Sequence, residues 1–157
     1  MNQSFEDVAR VLGTVNPYDS GQDVSGHDLE ELFPKVDPEF RPFGARVLVQ
    51  LRRVVSKTKS GLFLVNDTKE TEQYNVQVGR VIDMGPLAFK NRKTGEDWPE
   101  GKWAEVGDFV RFQRHTGDRM TIPQTDGGDP VVVLVLNDSD LTGKYTGDPR
   151  KPRAYIS

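Results

Sequence analysis

Several short combinations of side chains resemble fragments of catalytic sites, but each lacks the rest of its set. Ser56 and Lys59 have the Ser-x-x-Lys spacing of penicillin-binding enzymes, and Lys93-Thr94-Gly95 fits a second motif of those enzymes. The serine of such a site is activated at the start of a helix, whereas polar loop sequence surrounds Ser56. No general acid, base and nucleophile set stands out elsewhere in the sequence. We therefore expect no catalytic residues and no enzyme activity.

Residue types that bind metal ions are scarce in this sequence. The chain of 157 residues contains no cysteine, and His27 and His115 are its two histidines. These ligands are too few for a zinc site of the usual kind. Asp126 and Asp129 flank two glycines, but the spaced run of oxygen ligands that calcium needs is missing. The sequence therefore predicts neither a metal ion nor another cofactor.

An apolar cluster at residues 61–65 has the character of a binding segment. Gly61 precedes four apolar residues inside a polar stretch, residues 53–75, which has little means of packing on itself. Each large apolar side chain buried in a partner's groove would contribute about 1.5–3 kcal/mol before ordering costs. Taken alone, the cluster predicts either a docking segment or one more strand of the chain's own sheet. Its apolar members are Leu62, Phe63, Leu64 and Val65.

Composition and charge exclude several classes of protein. Hydrophobic residues make up 35% of the chain and charged residues 29%, which suits one domain with one core. The longest apolar run, residues 131–136, falls far short of the roughly 20 residues that a membrane-spanning helix needs. Residues 1–10 do not resemble a secretory signal. We therefore expect a cytoplasmic protein without membrane contact.

Nucleic-acid binding is also disfavoured by the distribution of charge. The formal net charge is −3, and no concentrated basic face is evident. One basic cluster fits a solvated strand face or a salt-bridged subunit contact better than a nucleic-acid interface. It consists of Arg111, Arg114, His115 and Arg119.

From Arg41 onward the pattern predicts an all-β fold. Val47, Val49 and Leu51 alternate with Leu48, Gln50 and Arg52, as expected of a strand. Short strands with glycine-rich turns and no long helix between them are typical of a small barrel or sandwich. Further strands are predicted over residues 76–84, 109–112 and 131–136.

Two of these predicted strands differ in pattern. In residues 76–84, Val76, Val78, Ile82 and Met84 are expected on one face. Residues 131–136 are apolar throughout, so both faces of that strand should be buried, within the barrel or partly against a neighbouring subunit.

Residues 1–40 predict an arm rather than a domain. Residues 4–12 have helical apolar spacing, and residues 14–26 are rich in Gly, Asp, Ser and Asn, as linkers are. A second short helix is then expected, with Asp28 as its N-cap and Pro34 ending it. Its apolar edge consists of Leu29, Leu32 and Phe33.

Read in order, five segments resemble those of the GroES family of co-chaperonins. Arg-Pro-Phe-Gly-Ala-Arg-Val-Leu-Val resembles the family's opening strand, and Thr-Lys-Ser-Gly-Leu-Phe-Leu resembles its chaperonin-docking segment. A Gly-x-Val strand, a Val-Gly-Asp turn and a closing Ser-Asp-Leu strand follow. The five segments span residues 41–49, 58–64, 79–85, 106–110 and 134–141.

The resemblance implies a small GroES-like β-barrel over residues 41–142, with a partly helical arm at 1–40 and an extension at 143–157. It implies a homo-oligomeric ring, seven-membered in the family, whose partner is a GroEL-type chaperonin that binds the ATP. The residues that would dock on this chaperonin, as a mobile loop, are Gly61, Leu62, Phe63, Leu64 and Val65.

The resemblance also points to further sites. The family has a roof hairpin between the positions of Gly85 and Gly107, where Trp98 and Trp103 could contact substrate, line an interface or anchor the hairpin onto its own barrel. Family rings form by pairing an early strand with the closing strand of the next subunit. The interface residues predicted on that basis are Val47, Val49, Val133 and Val135.

Several features depart from the family. Both extensions are unusual, the docking segment has one glycine, Gly61, where two are frequent, and His115-Thr116-Gly117 replaces a Tyr-Gly element. Such drift is typical of virus-encoded members, so a bacteriophage origin is our hypothesis. The alternative function is a capsid decoration subunit, whose partner would be a viral capsid protein held by the arm and the basic tail.

Overall fold

Six strands form one antiparallel sheet in the part of the chain that the structure, a computed structural model, describes: residues 28–54, 73–124 and 129–152. The order across the sheet is β4-β5-β1-β2-β3-β6. The strands are β1 (Arg46–Leu51), β2 (Gly79–Met84), β3 (Phe109–Phe112), β4 (Asp118–Ile122), β5 (Val131–Asn137) and β6 (Leu141–Lys144).

The connection from β5 to β6 requires the sheet to curl. Only a 3-10 turn, Asp138–Asp140, joins these strands, although β5 pairs with β1 and β4 while β6 pairs with β3. Three residues span at most about 11 Å, so the β3–β6 side of the sheet must come round to the end of β5. The prediction of a small all-β fold of the GroES kind is therefore confirmed.

Strand β1 lies inside the sheet and is buried on both faces. Val47, Val49 and Leu51 point into the main core, where they meet Val81 and Val110, among others. The alternate residues, Leu48, Gln50 and Arg52, are at most 2% exposed on the other face. The alternation predicted for this strand is correct, but its second face is not solvated.

A second apolar cluster covers that outer face. It is built on Leu48, Val131 and Val133, and Val36 from the arm packs against it. Strand β5 thus contributes to both clusters, because Leu134 and Leu136 belong to the main core. The burial of both β5 faces agrees with its unbroken apolar sequence.

Strand β2 contains a bulge at Ile82. Val49 pairs with Val81 and Leu48 pairs with Asp83, so Ile82 has no partner of its own on β1. A bulge inserts one residue and resets the alternation of side chains. Ile82 consequently packs in the outer cluster while Met84 packs against the main core. The expectation that these two share one face is wrong for this reason.

The segment before β2 also differs from the prediction. Residues 73–75 are helical, and the strand begins at Gly79 rather than at Val76. Val76 and Val78 are both buried in a third cluster, described below. Their period-2 spacing therefore reflects packing of the segment that leads into the strand.

The helix predicted near Pro34 is present as α1, Leu29–Leu32. Asp28 is its N-cap residue, although its side chain makes no capping hydrogen bond. Leu32 and Phe33 are buried, whereas Leu29 is 39% exposed. The helix predicted over residues 4–12 lies outside the described residues.

In the described part of the chain, no helix has the length and apolar character needed to cross a membrane.

A buried carboxylate fixes the corner between β5 and β6. Asp138 is 3% exposed and accepts hydrogen bonds from the backbone N–H of Phe89, at 3.0 Å, and of Ser139, at 2.8 Å. Its own N–H donates to the carbonyl of Ala45 at 3.0 Å. This residue therefore joins the hairpin that follows β2 to the curled end of the sheet.

A glycine pair tests the close approach of two backbone segments. A Cβ on Gly85 would overlap the carbonyl oxygen of Gly44, whereas a Cβ on Gly143 would meet open space. We expect Gly85→Ala to lower the free energy of unfolding by about 1–3 kcal/mol, because backbone has to shift. Gly143→Ala should change it by less than about 0.5 kcal/mol. Thermal or urea denaturation measures both, and equal effects would contradict this packing.

Candidate partner-binding site

The residues predicted to dock, Gly61, Leu62, Phe63, Leu64 and Val65, lie outside the described residues. The residues on either side of the polar segment are described, from Arg52 to Val54 after β1 and from Gln73 to Val78 before β2. This base of the segment is the part of the candidate site whose geometry is known.

An apolar cluster surrounds the base. Val54, on the outgoing side, and Val76 and Val78, on the returning side, are each at most 5% exposed. They pack with Leu32 and Phe33 from the end of α1. We call these five residues the base cluster. Phe109 and Tyr145 pack against it from the sheet and the tail.

Hydrogen bonds join the outgoing side of the segment, residues 52–54, to its returning side, residues 73–78. The side chain of Gln73 donates to the carbonyl of Arg52 at 3.1 Å and accepts from the N–H of Val54 at 3.0 Å. The backbone N–H of Arg52 donates to the carbonyl of Val78 at 2.9 Å. One glutamine thus bonds two successive peptide groups of the opposite side, which fixes the separation of the two ends.

Tyr74 is held by two members of the basic cluster. Arg119 donates to its carbonyl at 2.8 Å, and the guanidinium lies 4.6 Å from the centre of its ring. Nδ1 of His115 lies 2.9 Å from the Tyr74 hydroxyl. Burial lowers the pKa of the Arg119 guanidinium, an effect that Tyr74 partly opposes.

The other two arginines contact the residues that follow. Arg114 donates to the amide oxygen of Asn75 at 3.1 Å, and Arg111 donates to that of Gln77 at 3.0 Å. The basic cluster therefore lies along the returning side of the segment within its own chain. The sequence did not indicate this role, because the four residues of the basic cluster are more than 30 positions from their partners.

The tryptophans anchor the hairpin that joins β2 to β3. The rings of Trp98 and Trp103 meet edge to face, with centroids 4.8 Å apart, and Phe89 lies 5.6 Å from the first and 6.2 Å from the second. All three pack on the main core. Of the roles considered from the sequence, anchoring onto the chain's own sheet is the one that this geometry supports.

The four valines predicted at a subunit interface occupy different places. Val47 and Val49 are fully buried in the main core, and β1 has a paired strand on each side. Neither residue has surface to offer a neighbouring copy, so their predicted contacts require correction. Val133 is fully buried under the outer cluster, and Val135 is partly buried there. Among the described strands, the sheet edges are β4 and β6.

The start of the predicted C-terminal extension folds onto the same end of the sheet. Pro149 accepts a hydrogen bond from the buried Arg52 guanidinium at 3.1 Å. The Arg150 side chain donates hydrogen bonds to Asp148, among them one from Nε to Oδ1 at 3.0 Å and one from Nη2 to Oδ2 at 2.9 Å. These hydrogen bonds hold the pKa of Asp148 at about 2.

A curled all-β sheet with a long connection between its first two strands agrees with the fold that the GroES resemblance implies. A family model described as "Chaperonin 10 Kd subunit" matches residues 39–145, which is more than half of the chain. The chain therefore belongs to the chaperonin 10 family.

Individual relatives agree with this assignment. The chain is 31% identical over 109 residues to a co-chaperonin GroES of Caulobacter sp. (strain K31), an alignment that covers 67% of this chain and 95% of the relative. It is 28% identical over 101 residues to a co-chaperonin GroES of Listeria monocytogenes serotype 4b, with 64% and 93% covered. A relative from Bacillus sp. (strain PS3) is 29% identical over 105 residues.

The Asp148 pair predicts a measurable titration. Because its pKa in the folded chain is below the ordinary value of 3.8, the pairing is complete above that value and is lost as the pH falls toward 2. We expect Arg150→Gln to raise the pKa of Asp148 toward its ordinary value, because the guanidinium bonds are the largest cause of the lowering, while the backbone N–H of residue 150 still donates to the carboxylate. Carboxyl NMR titration measures this shift, and an unchanged midpoint in the variant would exclude Arg150 as its cause.

Proposed function

We propose that this chain is a co-chaperonin, which forms a homo-oligomeric ring and caps a GroEL-type chaperonin to assist protein folding. The observation that carries the proposal is the family match over residues 39–145. It is supported by alignments that cover 95% and 93% of two relatives named as co-chaperonins. In this role the chain binds rather than catalyses, and the ATP is bound by its partner. Its expected location is the cytoplasm.

The docking contact is assigned to residues 61–65. Support comes from the base of the segment, where Gln73 and the base cluster hold the two ends of the segment close together. A segment tethered in this way can present its apolar residues while the sheet keeps its own core. One contact of three or four apolar side chains is weak, but several in one ring add through effective concentration. Such a cap can bind firmly and still release when the partner changes state.

The alternative role as a capsid decoration subunit is not favoured by these observations. The relatives named above are co-chaperonins, and the arm residues required for attachment to a shell, Phe5, Val8 and Leu12, lie outside the described residues. Bacteriophage origin and a seven-membered ring remain predictions.

A triple substitution tests the docking contact. We expect Leu62→Ser, Phe63→Ser and Leu64→Ser together to abolish capture, because they remove the apolar surface that would be buried in the partner. Capture is measured with purified GroEL-type chaperonin and ATP, by counting end-capped complexes and by recovery of a client that needs the cap to fold.

A matched control is available in the same segment. Asn66→Ser, Asp67→Ser and Thr68→Ser alter three polar residues and should leave capture within about threefold of the original chain, since little apolar area changes. Circular dichroism and light scattering check that both variants fold and assemble. Normal capture by the Leu62, Phe63 and Leu64 variant would refute the docking assignment.

A further inference from the structure

The ordered fold extends beyond the region that matches the family. The family model covers residues 39–145, yet residues 28–38 and 146–152 are also described and pack against the sheet. Both additions reach the end of the sheet where the 55–72 segment begins and ends. The family assignment does not explain why both additions pack at this end of the sheet.

The arm supplies the buried side of the segment's base. Leu32 and Phe33 are 0% and 2% exposed, and they pack directly with Val54, Val76 and Val78. The ring of Phe33 meets that of Phe109 edge to face at 5.0 Å. These contacts reach both the outgoing and the returning side of the segment.

Backbone bonds fix the arm in this position. The N–H of Arg53 donates to the carbonyl of Leu32 at 2.9 Å, one residue before Val54. Two residues after Leu32, the carbonyl of Pro34 accepts a hydrogen bond from the side chain of Gln50 at 2.7 Å. Gln50 is fully buried, so this bond satisfies a donor that water cannot reach.

Tyr145, the last residue of the matched region, and the addition that follows it pack at the same place. Tyr145 packs on the base cluster, and its N–H donates to the carbonyl of Phe109 at 2.8 Å. Its hydroxyl accepts from Arg111, which also holds Gln77 on the returning side. Pro149 accepts from Arg52, the residue whose carbonyl is bound by Gln73.

Arm and tail thus reach the base from the two sides of the sheet in sequence. Leu32 and Phe33 pack in the base cluster, and Pro149 accepts a hydrogen bond from Arg52 next to it.

We propose that residues 28–38 and 145–152 form a terminal clamp that fixes both ends of the 55–72 segment and thereby sets how strongly the docking residues bind. This inference rests on the proposed function. The physical reason is entropic: backbone that is already ordered in the free chain does not have to be ordered on binding. Each residue released from the clamp would weaken binding by about tenfold.

Two leucines on the same helix provide the test. Leu32→Ala removes a fully buried side chain of the clamp, whereas Leu29→Ala makes the same change at a side chain that is 39% exposed. In the full-length chain we expect Leu32→Ala to weaken binding to the chaperonin with ATP at least about tenfold. Leu29→Ala should remain within about twofold of the original chain. Docking residues 61–65 are unaltered in both.

A second measurement reports on the clamp without the chaperonin. Amide hydrogen exchange in the free protein should speed up at residues 53–54 and 76–78 in Leu32→Ala, with main-core amides of β1 and β5 unaffected. A chain that ends at Gly147, which loses the Pro149 contact, should change in the same direction. If Leu32→Ala fails to assemble, Phe33→Leu takes its place in both measurements. This variant keeps an apolar side chain but removes the ring contact with Phe109.

The outcomes separate the two proposals. Weaker binding with faster exchange at the base supports the clamp. Unchanged exchange at the base, or faster exchange with unchanged binding, overturns it. If the original chain itself does not bind the chaperonin, the proposed function fails and the clamp's effect on docking fails with it. The exchange rates then still show whether the termini hold the base.

Discussion

Burial of strand β1 on both faces is the constraint from which the other features follow. Its inward residues, Val47, Val49 and Leu51, hold the main core, and its outward residues would face water if nothing covered them. The arm supplies that cover at Leu48 and Gln50, and the tail supplies it at Arg52. A buried amide and a buried guanidinium on this face would be costly without partners, so the terminal segments must lie where the carbonyls of Pro34 and Pro149 meet them. The additions that distinguish this chain are therefore part of its fold.

The segment to which we assign the docking contact follows the same end of β1. After Leu51 the chain passes through Arg52, Arg53 and Val54, and each of these has a partner from the arm, the tail or the returning side. A docking segment needs freedom at its apolar centre and order at its ends, because order at the ends lowers the entropy lost on binding. The structure supplies order at the ends, and the sequence supplies an apolar centre with a glycine before it. The proposed docking role rests on these two features together with membership of the chaperonin 10 family.

Features governed by local sequence were predictable, and those governed by distant contacts were not. Alternation in β1, the unbroken apolar run of β5 and the stop at Pro34 each follow from side-chain periodicity or from backbone chemistry, and each is present. The bulge at Ile82 was missed because an inserted residue leaves no mark on composition. Val47 and Val49, predicted at a subunit interface, are buried in the main core of their own chain. The resemblance identifies a strand but not its position in the sheet. The base cluster joins residues 32, 54 and 76, and residue 145 packs against it, so no short-range pattern could have brought them together.

Cryo-electron microscopy of the chain with a GroEL-type chaperonin and ATP shows which residues meet the partner. We expect a ring seated on the end of the chaperonin, with residues 61–65 of each subunit in an apolar cleft of the partner. Residues 28–38 and 145–152 should remain packed around the base of each segment. A ring that touches the chaperonin through another surface, or residues 61–65 packed within their own subunit in the complex, would refute the docking assignment.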